Sequence, residues 1–233
     1  MPEHLRREID RLKKAILTLC ALVEEDVRKA GRSVAERDAG LANSIIEKDA
    51  VIDHMEIEVE EECLKILALY QPVAVDLRFI VSVLKINNDL ERIGDLAVNI
   101  AEQAAYLATQ ERVEVPFDFP GMAQKVQSML KRSVDALVNM DSDLARRVCA
   151  ADDEVDAIHR DMYTHVQNAI LRNPEAIDRL IRHLSVSRNF ERIADHATNI
   201  AEDVVYLVEG EIVRHGEGAK QSQNAPGRED PRE

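Results

Sequence analysis

One stretch of this chain occurs twice. Asn88-Asp-Leu-Glu-Arg-Ile-Gly-Asp-Leu-Ala-Val-Asn-Ile-Ala-Glu102 returns as Arg188-Asn-Phe-Glu-Arg-Ile-Ala-Asp-His-Ala-Thr-Asn-Ile-Ala-Glu202, at an offset of 100. Upstream, Leu41-Ala42 and the pair Asp49/Asp53 are answered by Leu144-Ala145 and Asp152/Asp156 at an offset of 103. Pro72 and Asp76 recur between these elements as Pro174 and Asp178, at 102. Three consistent offsets in the same order mark a duplication. The fold is therefore two copies of one supersecondary unit of about 110 residues each.

The unit is helical. Helix breakers are scarce, with 8 Gly and 7 Pro in 233 residues, and four of the Gly lie beyond residue 209. Between the breaks at Gly40, Pro72, Pro116–Gly121, Asp141-Ser-Asp and Asn173-Pro174, the periodicity predicts helices at 4–36, 41–70, 74–110, 121–141, 143–172 and 175–209. In the second, Ile45, Ile52, Met55, Val59, Cys63 and Ile66 recur at spacings of three, four and seven, the stripe of a helix with one buried face. The expected fold is all-α, two tandem three-helix bundles covering 1–112 and 121–209, joined by a linker at 113–120. Residues 210–233 carry almost no large apolar side chains and are expected to be disordered. Long apolar stripes on two elongated bundles leave surface for a second copy, so a homodimer is expected.

Charge and composition narrow the function. With 44 Asp and Glu against 30 Lys and Arg the net charge is −14, which argues against nucleic acid and against direct docking on an anionic membrane. Eight aromatic residues and no Trp leave nothing for base-stacking platforms or aromatic cages. Cys20, Cys63 and Cys149 are odd in number, far apart and set among apolar residues, so they read as small core residues of a protein in a reducing compartment. The charged start shows no signal-peptide pattern, and no apolar run approaches the roughly 18 residues of a bilayer span, so a cytoplasmic location is expected, with membrane attachment only through a partner. No phosphate-binding loop, GxGxxG, GxSxG or HExxH is present. A binding or regulatory protein fits better than a catalyst.

The acidic residues are patterned. At about 100° per residue, Asp95, Asn99 and Glu102 fall near 40°, 80° and 20° from Glu91, one narrow stripe. Glu191, Asp195, Asn199 and Glu202 repeat it. Asp49, Asp53, Glu56 and Glu60 align on the second helix, and Asp152, Asp156, His159 and Tyr163 on the fifth. Such stripes usually face solvent. These lack the Lys or Arg one turn away that would stabilise them, and they recur in both repeats. Two adjacent helices facing each other with Asp49, Asp53, Glu91 and Asp95, or with Asp152, Asp156, Glu191 and Asp195, would bring four repelling carboxylates together. A cation with oxygen ligands resolves that conflict. A salt-bridge network through Arg92 and Arg192 is the competing solution, and a solvated face is the third. His159 and His196, beside these acids, are further ligand candidates. A carboxylate-bridged metal enzyme is the rival function, weakened because only one acid-x-x-His pair, Asp156/His159, is present where a di-iron bundle needs two Glu-x-x-His pairs.

The doubled Glu-Arg-Ile-x-Asp-x-x-x-Asn-Ile-Ala-Glu, the Asp49/Asp53 helix and Gln71-Pro-Val-Ala-Val-Asp-Leu-Arg78 together resemble the PhoU family of phosphate-uptake regulators, over about 205 residues. The resemblance implies a cytoplasmic pair of three-helix bundles. It also implies contact with the ATPase subunit of a phosphate ABC transporter and with a phosphate-sensing histidine kinase, restraining uptake and the starvation response when phosphate is plentiful. Carried onto this chain, it implies metal at Asp49, Asp53, Glu91 and Asp95 and at Asp152, Asp156, Glu191 and Asp195. The ions would be divalent or ferric: iron, zinc, manganese or magnesium. The second repeat departs from the family pattern at Asn173-Pro-Glu-Ala-Ile-Asp-Arg-Leu180.

Overall fold

The computed structural model describes residues 3–113 and 117–210, so the expected tail lies outside the described residues apart from Gly210. Every regular element among them is helical: α1 (Glu3–Glu36), α2 (Ala39–Ile46), α3 (Asp49–Tyr70), α4 (Ala74–Thr109), α5 (Phe119–Asn139), α6 (Ser142–Cys149), α7 (Asp152–Arg172) and α8 (Ile177–Glu209), with a 3₁₀ turn at Pro174–Ala176. The expected all-α class and six long helices are present. The two helices predicted at 41–70 and 143–172 are each broken, however, into a short helix and a long one. Both short helices are capped by an aspartate, Asp38 bonding the Leu41 amide at 2.9 Å and Asp141 the Leu144 amide at 2.8 Å. Both end in tight i→i+3 turns, in which Lys48 N–H donates to Ile45 O and Ala151 N–H to Val148 O, each at 3.0 Å. The chain thereby starts afresh at Asp49 and Asp152.

Helices α4 and α8 pair along the middle of the molecule, with α1 and α3 against α4, and α5, α6 and α7 against α8. Their cross-contacts run in opposite directions along the two helices. Lys85 Nζ meets Asp203 Oδ1 at 2.7 Å, Asp89 meets His196 at 2.7 Å, Gln103 meets Arg182 at 3.0 Å and Tyr106 meets Asp178 at 2.8 Å. The pair is therefore antiparallel. Exchanging the repeats maps the contact of Ser82 with Asp203 onto that of Arg182 with Gln103, which places a pseudo-two-fold axis midway, near Ile93 and Ile193. One core runs through both halves, drawing Leu12, Ile16 and Leu19 from α1, Ile86, Leu90 and Ile100 from α4, and Phe190, Ile193 and Ile200 from α8. Each such side chain stabilises the fold by about 1.5–3 kcal/mol. The cysteines belong to this packing: burial pushes the thiols of Cys20 and Cys63 up to about 12 and that of Cys149 to about 11, so none is poised to react. Among the described residues no helix is long and apolar enough to cross a membrane.

One close approach sets α3 on α4 beside the acidic stripe. A Cβ on Gly94 would lie 3.2 Å from Ile52 Cγ2 and 3.3 Å from its Cδ1. The equivalent positions in the second repeat carry Val155 and Ala194. A methyl has moved from one helix to the other. Gly94→Ala should therefore lose about 1 kcal/mol, because overpacking against Ile52 outweighs the better helix propensity of alanine. Adding Ile52→Val, which removes the Cδ1 contact and leaves Cγ2, should recover part of that loss in a urea double-mutant cycle. Additive losses would show that the two side chains do not oppose each other.

Candidate metal centre

The broken helices position the first acid of each set. Asp49 is the first residue of α3 and Asp152 the first of α7, where the partial positive charge of the helix N-terminus favours a carboxylate. Asp53 and Asp156 follow one turn later. Glu91 and Asp95, like Glu191 and Asp195, sit mid-helix on α4 and α8, close to the pseudo-two-fold axis.

The second set converges. Asp152, Asp156 and Asp195 each offer an oxygen, all within 4.8 Å of one another, with Asp195 outermost and exposed. Glu191 stands beside this triad, near enough for Asp156 and Asp152 to hold its carboxyl above the usual range, after desolvation as the main cause. Asp152 feels the strongest effect: desolvation, then Asp195 and Asp156, push it up to about 6. Desolvation followed by Glu191 and Asp156 raises Asp195 as well. The first set is looser, and no three of its carboxylates meet within the same radius among the described residues. Desolvation together with Asp53 and Asp95 still raises Asp49, and desolvation with Asp95 raises Glu91. Here the competing cation is in place, with Arg92 lying 3.4 Å from both Glu91 and Asp95. Arg192 makes no ion pair within 4 Å among the described residues. The two repeats have thus taken different routes from one pattern.

Two buried oxygens test whether an ion fits. Asp49 Oδ1 and Asp152 Oδ1, at matching places in the repeats, are buried without a hydrogen-bond partner among the described residues. Thr198 lies close enough to Asp152 to favour its ionised form slightly, yet its hydroxyl is also buried and unpaired, so no bond of proper geometry joins them. An orphaned carboxylate oxygen in a converging acidic set, as at Asp152, is suited to a hard or borderline cation; at Asp49 the orphaned oxygen is present without the convergence.

The stripes do not extend as far as their angles suggest. Glu56 accepts from Asn87 Nδ2 at 3.2 Å, and His159 Nδ1 bonds Ser187 Oγ at 2.9 Å. Desolvation and then Arg188 lower the His159 pKa, which favours its neutral form. His196 turns from Asp195 to Asp89 on α4, and Asn199 Nδ2 donates to the same carboxylate at 3.3 Å. Asp89 escapes a comparison of matching positions, because its counterpart is Asn189. The signal lay in the mismatch: the second repeat has His196 where the first has Leu96, so an acid and a base appear at unmatched positions of the two central helices.

Fold and site define an internally duplicated helical protein with an acidic set where α3 meets α4 and another where α7 meets α8. The PhoU domain family matches it twice, at residues 16–104 and 119–204. The chain is 38% identical over 211 residues to the phosphate-specific transport system accessory protein PhoU homolog of Aquifex aeolicus, covering 91% of this chain and 96% of that one. It is also 38% identical over 216 residues to the homolog of Pseudomonas aeruginosa, covering 91% and 88%. The crystal structure of PhoU from Pseudomonas aeruginosa superposes with a TM-score of 0.85 at 37% identity, over 88% of this chain and 99% of that one. The phosphate transport system regulatory protein PhoU from Streptococcus pneumoniae gives 0.83 at 29% identity, over 91% and 100%. The chain belongs to the PhoU family.

The raised Asp152 carboxyl carries a pH signature in metal-free protein. Because the native state holds this proton more tightly than the unfolded chain, stability falls as pH rises from about 4 to about 6, and the penalty is complete above that. Asp152→Asn should therefore stabilise chelator-treated protein at pH 7 by about 1 kcal/mol or more, allowing for solvent screening, and leave it unchanged at pH 4. That corresponds to a rise of roughly 2–4 °C in melting temperature at pH 7. Equal melting of variant and parent at pH 7 would show that the carboxylates do not strain the fold.

Proposed function

We propose that this chain is a regulatory accessory protein of phosphate transport, acting by protein–protein contact rather than catalysis. It restrains phosphate uptake and the phosphate-starvation response when phosphate is plentiful, through the ATPase subunit of a phosphate ABC transporter and a phosphate-sensing histidine kinase. It works in the cytoplasm as a homodimer, reaching the membrane only through its partners. The observation that carries this reading is the family match over both repeats, together with near end-to-end likeness to proteins named as accessory and regulatory. An adaptor of this kind shifts a partner's equilibrium by binding one of its conformations better than another. The bundles at 1–112 and 121–209, joined through 113–120, supply two related faces for such contacts.

Each bundle in this reading has one cation site, formed by Asp49, Asp53, Glu91 and Asp95 and by Asp152, Asp156, Glu191 and Asp195. A bound iron, zinc, manganese or magnesium ion would supply the positive charge that these carboxylates lack. The chain's own residues hold the ligand oxygens at a fixed separation: α7 presents Asp152 and Asp156 one turn apart, and α8 brings Asp195 to them. In the first repeat Arg92 occupies part of that role, so the second site fills first.

Deleting the gene in its host tests the regulatory reading. A phosphate-starvation reporter should turn on in phosphate-rich medium, the chain supplied from a plasmid should turn it off, and the transporter ATPase should co-purify with it. A reporter that stays off in the deletion strain, in phosphate-rich medium, would contradict the proposal.

A further inference from the structure

A basic cleft opens at the end of the molecule opposite the start of α7. Its volume is about 310 Å³, and it lies between Glu111, Arg112 and Val113 just after α4, the last turns of α7 and the first turn of α8. Asp152 begins α7 and Arg172 ends it, so the cleft is about 30 Å along the helix axis from the acidic triad. Arg112, Arg172 and Arg179 line it, and among the described residues Glu111 is the one carboxylate in the lining. The chain as a whole carries a net charge of −14, so three guanidinium groups around one cavity run against its general character.

These arginines differ in how they are held. Arg179 is fixed: its Nη1 donates to the Glu111 main-chain oxygen at 3.1 Å, and its side chain is 18% exposed. The Glu111 carboxylate, 3.6 Å from that guanidinium, is 89% exposed and free to swing into solvent. Arg112 and Arg172 make no ion pair within 4 Å among the described residues. Arg172 has a structural role of its own in the last turn of α7, where a cation suits the helix dipole. Arg112 follows α4 outside any helix and has no such role. Its charge lines the cavity with no carboxylate of the described residues within 4 Å.

The lining also selects a chemistry. Asn168, Asn173 and His165 add polar groups, and among the described lining residues no Phe, Tyr or Trp is present to stack on a base or a sugar. Guanidinium groups grip phosphoryl oxygens in paired hydrogen bonds, and several around one cavity favour an anion with more than one negative charge. The cavity falls at the lower end of small-ligand sites, which run from about 300 Å³.

We infer that this cleft binds a phosphoryl oxyanion, held between Arg112, Arg172 and Arg179. The shared chemistry is the phosphate group, whether as free inorganic phosphate or within a short phosphoanhydride chain. The inference concerns binding alone and does not rest on the regulatory or the cation reading.

Calorimetry on the full chain tests it, with chelator present so that phosphate cannot ride on a cation at the acidic sites. Inorganic phosphate and tripolyphosphate are titrated separately into the parent and into the double variant Arg112→Ala/Arg172→Ala, whose altered side chains are exposed and whose melting temperature should fall only slightly, by the share of Arg172 at the end of α7. Binding of either ligand to the parent, weakened tenfold or more in the double variant and unchanged in Asp152→Asn, supports the cleft. Stronger binding of tripolyphosphate marks a chain as the occupant, and equal binding marks a single phosphate group. No binding of either ligand at millimolar concentration, or equal binding by parent and double variant, overturns the inference.

Discussion

Apolar packing of α3 on α4, and of α7 on α8, brings together carboxylates that repel one another. Two like charges 4 Å apart cost about 1 kcal/mol in water and about 4 kcal/mol at the effective dielectric of a protein surface. On the other side of the balance, Ile52, Val59, Cys63 and Ile66 of α3 are buried, as are Val155, Met162 and Val166 of α7. At about 1.5–3 kcal/mol for a large apolar side chain, that burial outweighs a few such repulsions without removing them. Desolvation, and after it this repulsion, raises the carboxyl groups of Asp49, Glu91, Asp152, Glu191 and Asp195. Whatever supplies positive charge at these points is favoured by the fold itself.

The duplicated halves meet that tension differently, and their divergence is paired. Ile52 with Gly94 in one repeat becomes Val155 with Ala194 in the other. Glu56 bonded to Asn87 becomes His159 bonded to Ser187. Arg92 bridges its acids, whereas Arg192 leaves Asp152, Asp156 and Asp195 to face each other. Buried or touching positions changed together because a single change would have left a clash, a void or an unpaired polar group. The pseudo-two-fold between α4 and α8 survives, with unlike chemistry at its two ends.

Much of this was legible in the sequence. The repeat offsets, the six long helices and the positions of the eight acids follow from periodicity, because each depends on residues close together in the chain. The breaks before Asp49 and Asp152 did not show. Glu47 and Lys48 keep nearly helical dihedrals, at φ −69°, ψ −20° and φ −100°, ψ −5°, and no Gly or Pro marks the turn. The partner of His196 was hidden for another reason: Asp89 sits on a helix about a hundred residues earlier, and only the antiparallel pairing of α4 with α8 brings the two together. The basic cleft is illegible for the same cause, since Arg112, Arg172 and Arg179 come from three segments with no local motif.

The claim that cations relieve the acidic sets is tested most directly by melting chelator-treated protein with and without added manganese or zinc. A ion that binds only the native state raises the melting temperature in proportion to the logarithm of its concentration above the dissociation constant. The account predicts such a rise in the parent, loss of most of it in Asp195→Asn, and a rise at least as large in Arg92→Ala, where Glu91 and Asp95 are released. Identical melting curves with and without metal, in protein that elemental analysis shows to bind none, would contradict it.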